Sequence, residues 1–205
     1  MSNGNKVSQK RKYRKRRRAE LEDETRLRIT EAAVELHGSV GPARTTISAV
    51  AERAGVQRAT VYRHFPDEEA LFGACSAHWL ARHPLPDLAA WAAVDDREER
   101  LLTALSDLYA WYGTAEGMLE KTTRDASLVP AMRAPVEAMG AWRAEAVATI
   151  VRGRPERGAR RRRVEAALGH AVAFSTWRSL RRDQGLQVPE AVELMRGLVG
   201  AAAAG

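Results

Sequence analysis

The sequence predicts an all-α fold with two parts, an N-terminal three-helix unit and a longer C-terminal helical body. Three observations support this prediction. Apolar side chains recur every three or four residues through most of the 205 residues, which is the spacing of a helix face. No stretch alternates apolar and polar residues as a half-buried strand does. Glycine and proline interrupt the helical pattern, first at Gly38 to Pro42 and again at His83 to Pro86.

The N-terminal unit begins with an amphipathic helix predicted over Arg26 to His37. Two short helical patterns follow and meet at Gly55, with Ala51 four residues before it and Val61 six residues after it. Helices that cross steeply through a short turn need a small side chain at their contact and a glycine that can adopt a positive φ. This spacing predicts a helix-turn-helix.

The two faces of this helix pair are also distinguishable. The inward-facing set predicted from the helical spacing is Ile47, Val50, Val56, Val61 and Phe65. Thr45 or Thr46 is predicted to cap the first helix, and Gln57 to Thr60 open the second. In a helix-turn-helix, the first residues of the second helix enter the major groove of DNA.

The segment TTISAVAERAGVQRATVYRHF, followed by PDEEALF, resembles the N-terminal domain of the TetR family of bacterial transcriptional repressors. The detailed resemblance runs from Thr45 to Leu71, and the chain length and helical remainder agree more loosely. It implies an N-terminal DNA-binding domain and a C-terminal α-helical ligand-binding and dimerisation domain. It also implies a repressor that binds a palindromic double-stranded DNA operator as a homodimer and is released by a small-molecule effector.

The resemblance assigns roles within the helix pair. The two threonines and the Tyr62-x-His64 pair would bind phosphates, and Gln57 to Thr60 would face base edges. Arg58 suits a bidentate contact with guanine, and Gln57 suits adenine. The predicted DNA-binding residues are Arg44, Thr45, Thr46, Ser48, Gln57, Arg58, Ala59, Thr60, Tyr62 and His64.

Three points in this assignment have alternatives. Thr45 could serve as a plain helix cap, and His64 could be an ordinary surface histidine. At Glu68 the chain departs from the family pattern, because relatives commonly carry a lysine there that contacts a phosphate. An acid at the start of a helix suits the helix dipole but repels DNA.

Positive charge is concentrated at the N-terminus. The first 18 residues hold nine Lys or Arg and no acidic residue, whereas the whole chain has a net charge of +7. Residues 1–22 are therefore predicted to form a disordered basic arm, which could neutralise DNA phosphates or enter a minor groove. A solubilising tail is the alternative for the arm. The alternative function for the chain is an arm-driven nucleoid or RNA-binding protein without a ligand.

The predicted domains are the arm, a DNA-binding domain at 23–66, a connecting helix at 67–86 and a regulatory and dimerisation body at 87–205. Body helices are predicted at Arg97 to Tyr112, Gly117 to Ala126, Ala131 to Val151, Arg163 to Arg182 and Pro189 to Ala203. The last two helices carry small and apolar residues that suit dimerisation, with ordinary core packing as the alternative. Arg152 to Arg163 is predicted to be an exposed loop.

The resemblance also implies a ligand pocket in the body, where aromatic and methionine side chains are frequent. Such side chains suit an apolar or aromatic effector, although at helical spacing they also suit an ordinary core. The predicted ligand-binding residues are Tyr109, Trp111, Met118, Met139, Trp142, His170, Phe174 and Trp177. His170, Asp125 and Arg178 are candidates for orienting a polar group of the ligand.

Other function classes find little support in the sequence. No phosphate-binding glycine loop, nucleophile motif or metal-ligand spacing occurs, so no enzyme, cofactor or metal site is predicted. The single cysteine, Cys75, excludes an internal disulfide and fits a reducing cytoplasm. No apolar run approaches the roughly 18 residues of a membrane helix, and the N-terminus does not resemble a signal peptide. The sequence therefore predicts a bacterial, cytoplasmic and nucleoid-associated protein with no membrane partner.

Overall fold

The computed structural model describes the backbone of residues 3–204 and the side chains of residues 12–204. The predicted all-α fold is confirmed, since the described residues form helices and contain no strand. The helices are α1 (Asn3–Ser39), α2 (Ile47–Arg53), α3 (Arg58–His64), α4 (Glu68–Arg82), α5 (Leu88–Ala92), α6 (Arg97–Asp125), α7 (Arg133–Val151), α8 (Gly158–Ala171), α9 (Phe174–Arg178) and α10 (Val188–Ala204). Short 3-10 turns occupy Pro42–Arg44 and Pro130–Met132, and one π-helical turn occupies Ser179–Asp183.

The N-terminal unit has its own small core, which α1 shares with α2, α3 and α4. Ile29 of α1 packs there with Val50, Val61 and Phe65, and all four side chains are almost wholly buried. Ile47 and Val56, the other members of the predicted inward-facing set, are half-buried against this core. The predicted arrangement of the helix pair is therefore confirmed.

The structure differs from the sequence expectation in the basic arm. Residues 3–22 continue α1 without a break, where a disordered segment was expected. From residue 12 onward this extension is rich in Lys, Arg, Ala and Glu, which are strong helix formers. Ion pairs one turn apart join Arg16 to Glu20 and Arg18 to Glu22. Because the packed half of α1 removes the cost of nucleation, the extension needs only to propagate.

The connection between the two parts follows the prediction closely. The Asp67 carboxylate caps α4 by accepting a hydrogen bond from the Ala70 backbone N–H at 2.7 Å. The helix ends at Arg82, just before Pro84. Because α4 packs against α1 on one side and α7 on the other, it contacts both the N-terminal unit and the body.

Two predicted body helices are in fact one. The structure has a continuous α6 that runs through Gly113 and Gly117, so the expectation that the helix ends at Gly113 was wrong. A glycine inside a helix costs only about 1 kcal/mol relative to alanine, which the apolar face of α6 outweighs. Its buried residues include Leu101, Leu105 and Leu108, which lie at the centre of the body core.

The predicted helix from Arg163 to Arg182 is interrupted. In the structure α8 ends at Ala171 and α9 begins at Phe174. The carbonyl oxygens at this break accept hydrogen bonds from two buried phenols of α6: Tyr109 donates to Ala171 at 2.9 Å and Tyr112 to Val172 at 2.6 Å. The tyrosines thus replace the lost intrahelical bonds, a long-range effect that periodicity cannot reveal.

Two further body features were not predicted. The short helix α5 buries Trp91, whose indole N–H donates to the Asp107 carboxylate at 2.9 Å. The segment expected to be a loop already turns helical at Gly158, where α8 begins. Both features are helical, so the all-α architecture of the described residues remains as predicted.

Candidate functional site

The turn between α2 and α3 has the geometry that its sequence predicts. Gly55 adopts a φ of 65°, in the left-handed region that favours glycine. A Cβ added there would meet no atom within 4 Å, so backbone conformation rather than crowding explains this glycine. Thr46 caps α2, its hydroxyl oxygen accepting a hydrogen bond from the Ala49 N–H at 3.1 Å.

The predicted DNA-binding residues share one property, since none of them is buried. Those whose side chains are exposed are Arg44, Thr46, Ser48, Gln57, Arg58, Ala59 and Tyr62, and those half-exposed are Thr45, Thr60 and His64. Gln57 makes no side-chain capping bond at the start of α3. The first turn of α3 therefore presents its side chains and free backbone N–H groups to solvent, as a helix that enters a groove requires.

In two of these residues, Thr45 and His64, a polar group of the side chain is less available to DNA. The Thr45 hydroxyl donates to the Gly41 carbonyl at 2.9 Å, so its proton is committed within the chain. The Nε2 atom of His64 is buried and has no hydrogen-bond partner among the described residues. Burial lowers the pKa of His64, and the nearby charges of Arg63 and Arg26 lower it further. Thr46 and Tyr62 have freer polar groups for phosphate contacts.

Two arginines hold the helix pair against α1, one from α1 and one from α2, and the sequence did not predict these contacts. Arg26 donates to the His64 carbonyl at 2.5 Å, and its guanidinium lies 4.1 Å from the centre of the Phe65 ring. Arg53 of α2 pairs with Glu35 of α1. These contacts orient α3 relative to α1, and the basic extension of α1 therefore leaves the N-terminal unit beside the end of α3.

Glu68 is exposed as the first residue of α4. It lies one residue after Asp67, the cap of that helix, in a position that favours acids through the helix dipole. The chain thus has no positive side chain where the resemblance would place a phosphate-binding lysine.

A second candidate site is a cavity of about 330 Å³ between α1, α4, α6 and α7. Its volume falls within the range of small-molecule pockets. The lining residues are Val34, His37, Phe72, Cys75, Ser76, Trp79, Leu80, Leu85, Tyr112, Met118, Leu119, Thr122, Thr123, Ala126, Met132, Pro135, Val136, Ala138, Met139, Arg143 and Phe174. Most of them are apolar.

The cavity includes three of the eight predicted ligand-binding residues: Met118, Met139 and Phe174. The other five do not line it, because other parts of the body hold them. The Trp111 indole N–H donates to the His83 carbonyl at 3.2 Å, and Tyr109 is bonded to the α8 break. Trp142 packs edge-on against Trp91, Trp177 stacks on Phe174, and His170 lies on the exposed face of α8.

Of the groups expected to orient a ligand, Asp125 and Arg178 do not line the cavity, and neither does His170. The polar lining residues are instead His37, Ser76, Tyr112, Thr122, Thr123 and Arg143. His37 is buried and stacks on Phe72 with ring centres 4.5 Å apart, and burial lowers the pKa of His37 to about 4. Its imidazole is therefore neutral at neutral pH.

Among the described residues, no group of three or more His, Cys, Asp or Glu side chains could hold a metal ion. No helix in this part of the chain combines the length and apolarity needed to cross a membrane. Burial raises the pKa of the Cys75 thiol to about 12, so this cavity-lining cysteine is an unreactive thiol.

The fold and the exposed α3 define the class of protein: a helix-turn-helix domain joined to an α-helical body. A family model described as "Bacterial regulatory proteins, tetR family" matches residues 29–75, from the packed half of α1 to Cys75 of α4. Residues 29–75 therefore match the DNA-binding domain of the TetR family, the family that the motif of α2 and α3 resembles. No curated protein sequence matches the chain significantly.

Solved structures show that the similarity of fold extends beyond this domain. A TetR-like transcriptional regulator from Rhodococcus sp. RHA1 aligns over 88% of this chain and 96% of its own, with a TM-score of 0.58 and 16% identity. A tetR-family regulator from Streptomyces coelicolor aligns over 89% and 80%, with a TM-score of 0.57 and 22% identity. The transcriptional regulator FadR from Bacillus subtilis, solved in complex with stearoyl-CoA, aligns over 87% and 98%, with a TM-score of 0.54 and 16% identity.

Proposed function

We propose that this regulator is a repressor that binds a palindromic operator as a homodimer and releases it when a small molecule occupies the cavity. The observation that carries the DNA-binding part is the first turn of α3, which exposes Gln57, Arg58 and Ala59 while Val61 and Phe65 anchor the helix. Among the described side chains, Arg58 has no hydrogen-bond or ion-pair partner. Its guanidinium is thus available for a bidentate contact with guanine.

The exposed faces of α8 and α10 support dimerisation. These helices pack against each other, and α10 leaves Leu194 and Leu198 50% and 40% exposed. Gly169 and Ala166 on the outward face of α8 would let a second copy approach closely. A two-fold dimer would present two α3 helices, which a palindromic operator with half-sites about 34–36 Å apart requires.

The position of the cavity supports effector control. Val34 and His37 of α1 and Phe72 of α4 belong to helices that also build the core of the N-terminal unit. A ligand that contacts them can favour one arrangement of α1 and α4 over another, provided that it binds the two arrangements with different affinity. The stearoyl-CoA complex of the similarly folded FadR supports a ligand-binding role for a body of this kind.

The test begins with selection of binding sites from random double-stranded DNA. We expect a palindromic consensus, and binding of that consensus should exceed binding of a scrambled sequence by a factor of 10³ or more. Arg58→Ala should reduce this preference by about 1–3 kcal/mol at one base position of each half-site. Arg133→Ala, a variant of an exposed arginine on α7, serves as the control and should leave it unchanged.

The alternative of an arm-driven nucleic-acid-binding protein predicts a different result. In that case Arg58→Ala would keep the wild-type sequence preference, and a chain shortened to residues 19–205 would lose all affinity. RNA and unrelated DNA would then compete as well as the selected site. That combination would overturn the proposed function.

A further inference from the structure

The cavity contains one permanently charged lining residue, Arg143. It lies one turn beyond Met139, on the face of α7 that also presents Val136 to the cavity. Among the described side chains, its guanidinium makes no hydrogen bond and no ion pair. The Arg143 side chain is half-buried, so part of its charged group lies against apolar walls without a partner from the described chain. Its position points to a partner that comes from outside the chain.

None of the other polar groups of the lining carries a negative charge that could balance Arg143. Tyr112 donates to the Val172 carbonyl at 2.6 Å, and the Thr122 hydroxyl donates to the Met118 carbonyl at 2.9 Å. His37 is neutral at neutral pH because burial lowers its pKa to about 4. Burial also raises the pKa of Tyr112, and the positive charge of Arg143 opposes that rise. The lining therefore carries an unbalanced positive charge.

The rest of the cavity favours an apolar molecule of limited size. Phe72, Leu80, Met118 and Met132 provide much of its apolar wall. At about 30 Å³ for each water in the liquid, the volume of about 330 Å³ corresponds to roughly eleven waters. A ligand of roughly ten to twelve non-hydrogen atoms matches this space.

We infer that the cavity binds an amphipathic monocarboxylate, with its apolar part between α4, α6 and α7 and its carboxylate on Arg143. The guanidinium and a carboxylate have matching geometry for two parallel hydrogen bonds. This inference rests on the proposed effector function and names the class of its ligand. It also identifies Arg143 as the residue that selects acids over neutral molecules of the same shape.

The inference is tested by calorimetric titration of the full chain with decanoate and with decan-1-ol, which share an apolar chain and differ in charge. Decanoate should bind at least about tenfold more tightly than decan-1-ol. Arg143→Met should weaken decanoate binding by roughly ten- to a hundredfold, the range for a hydrogen bond to a charged group. The same variant should leave decan-1-ol binding unchanged, and Arg143→Lys should recover part of the loss.

Two further variants control for position and folding. Arg133→Met removes an exposed arginine from the first turn of α7, outside the cavity, and should bind decanoate as the wild type does. Met139→Trp fills the cavity and should weaken both ligands. The thermal unfolding midpoints of all variants, measured without ligand, should lie close to that of the wild type.

The outcomes separate this inference from the function on which it rests. Equal binding of the two ligands, with no effect of Arg143→Met, would overturn the inference, and DNA release by decan-1-ol would still uphold effector control. Failure of both ligands to bind would overturn the inference as well. Tight decanoate binding that depends on Arg143 but leaves operator affinity unchanged would uphold the inference and contradict effector control.

Discussion

The carboxylate of Asp125, at the end of α6, accepts a hydrogen bond from the backbone N–H of Ala43 at 3.0 Å. This bond joins the body to the turn immediately before α2, across 82 residues of sequence. Arg124 strengthens the junction by pairing with Asp125 and by donating to the Val40 carbonyl at 3.3 Å. Because α6 also lines the cavity through Met118, the same helix contacts both the cavity and the turn that positions α2.

We predict that Asp125→Ala lowers the free energy of unfolding by about 1–3 kcal/mol at pH 7, because it leaves the Ala43 N–H without its partner. The hydrogen bond from Arg124 lowers the pKa of Asp125, and the Ala43 N–H contributes to the same effect. A depressed folded-state pKa gives stability that is present above the ordinary pKa and is lost as the pH falls through the lowered one. The difference between wild type and variant should therefore shrink below about pH 4.

Urea denaturation at several pH values measures this difference. Asp183→Ala provides the control, because Asp183 is exposed and makes no hydrogen bond or ion pair among the described residues. An Asp125→Ala variant as stable as the control at pH 7 would show that the junction contributes nothing to folding.

Gly41 precedes the turn that leads into α2, and Gly55 follows α2. The two glycines allow a matched comparison of what an alanine costs in stability. Gly41 has φ 96° and ψ 157°, a region that is almost exclusive to glycine, and a Cβ there would lie 2.5 Å from the Asp125 carboxylate. Gly55 has a φ of 65° and open space around it. We predict that Gly55→Ala costs about 1–2 kcal/mol of stability. Gly41→Ala should cost about 1–3 kcal/mol more, and similar urea midpoints for the two variants would contradict this.

The helix-turn-helix could be predicted from sequence because its determinants are local. Ala51, Gly55 and Val61 fall within eleven residues, and each has a steric requirement that few other residues meet. Ends of helices marked by a cap, such as Asp67, were equally readable. Gly113 was misread because a buried apolar face outweighs the weak helix propensity of one glycine.

The cavity could not be predicted in the same way. Its wall combines His37 of α1, Phe72 of α4 and Arg143 of α7, which lie far apart in the sequence. Periodicity identifies an apolar helix face but does not distinguish a filled core from a cavity. Trp111 and Trp177 therefore resembled pocket residues in the sequence, whereas in the structure they fill the body core.

The buried His37 predicts a pH dependence of stability. Its imidazole remains neutral in the folded chain until about pH 4, whereas in the unfolded chain it binds a proton near its ordinary pKa of 6.5. The unfolded state thus binds more protons between these values, so the free energy of unfolding falls as the pH falls from 6.5 to 4. The contribution of this group is on the order of 3 kcal/mol at most.

Urea denaturation between pH 7 and pH 4.5 can isolate this contribution. His37→Gln should reduce the loss of stability over that range, and His170→Gln, at an exposed position on α8, should not. A loss as steep in His37→Gln as in the wild type would contradict the role of His37.

The exposed leucines of α10 lead to a prediction about assembly. Leu198→Arg should convert the proposed dimer to a monomer at micromolar concentration, because it places a charge where the two copies would exclude water. Sedimentation equilibrium measures the change. Leu128→Arg is the control: Leu128 is 67% exposed and belongs to the segment after α6, not to α8 or α10. A Leu198→Arg protein that remains dimeric would place the interface elsewhere.

We predict that the basic extension of α1 contributes affinity for DNA, whereas α3 contributes sequence preference. The helix-turn-helix segment is not strongly basic and carries Glu68 at the start of α4, whereas nine Lys or Arg lie in residues 1–18. Each phosphate that these residues neutralise steepens the plot of log affinity against log salt concentration by about 0.9.

A chain shortened to residues 19–205 should therefore bind the operator more weakly and with a shallower salt dependence. Its preference for operator over scrambled DNA should remain, because Arg58 and Gln57 are intact. Arg58→Ala should produce the converse, a reduced preference with a nearly unchanged slope. Titrations at 50, 100 and 200 mM salt would distinguish the two effects, and equal slopes for the full and shortened chains would exclude a contact between the extension and DNA.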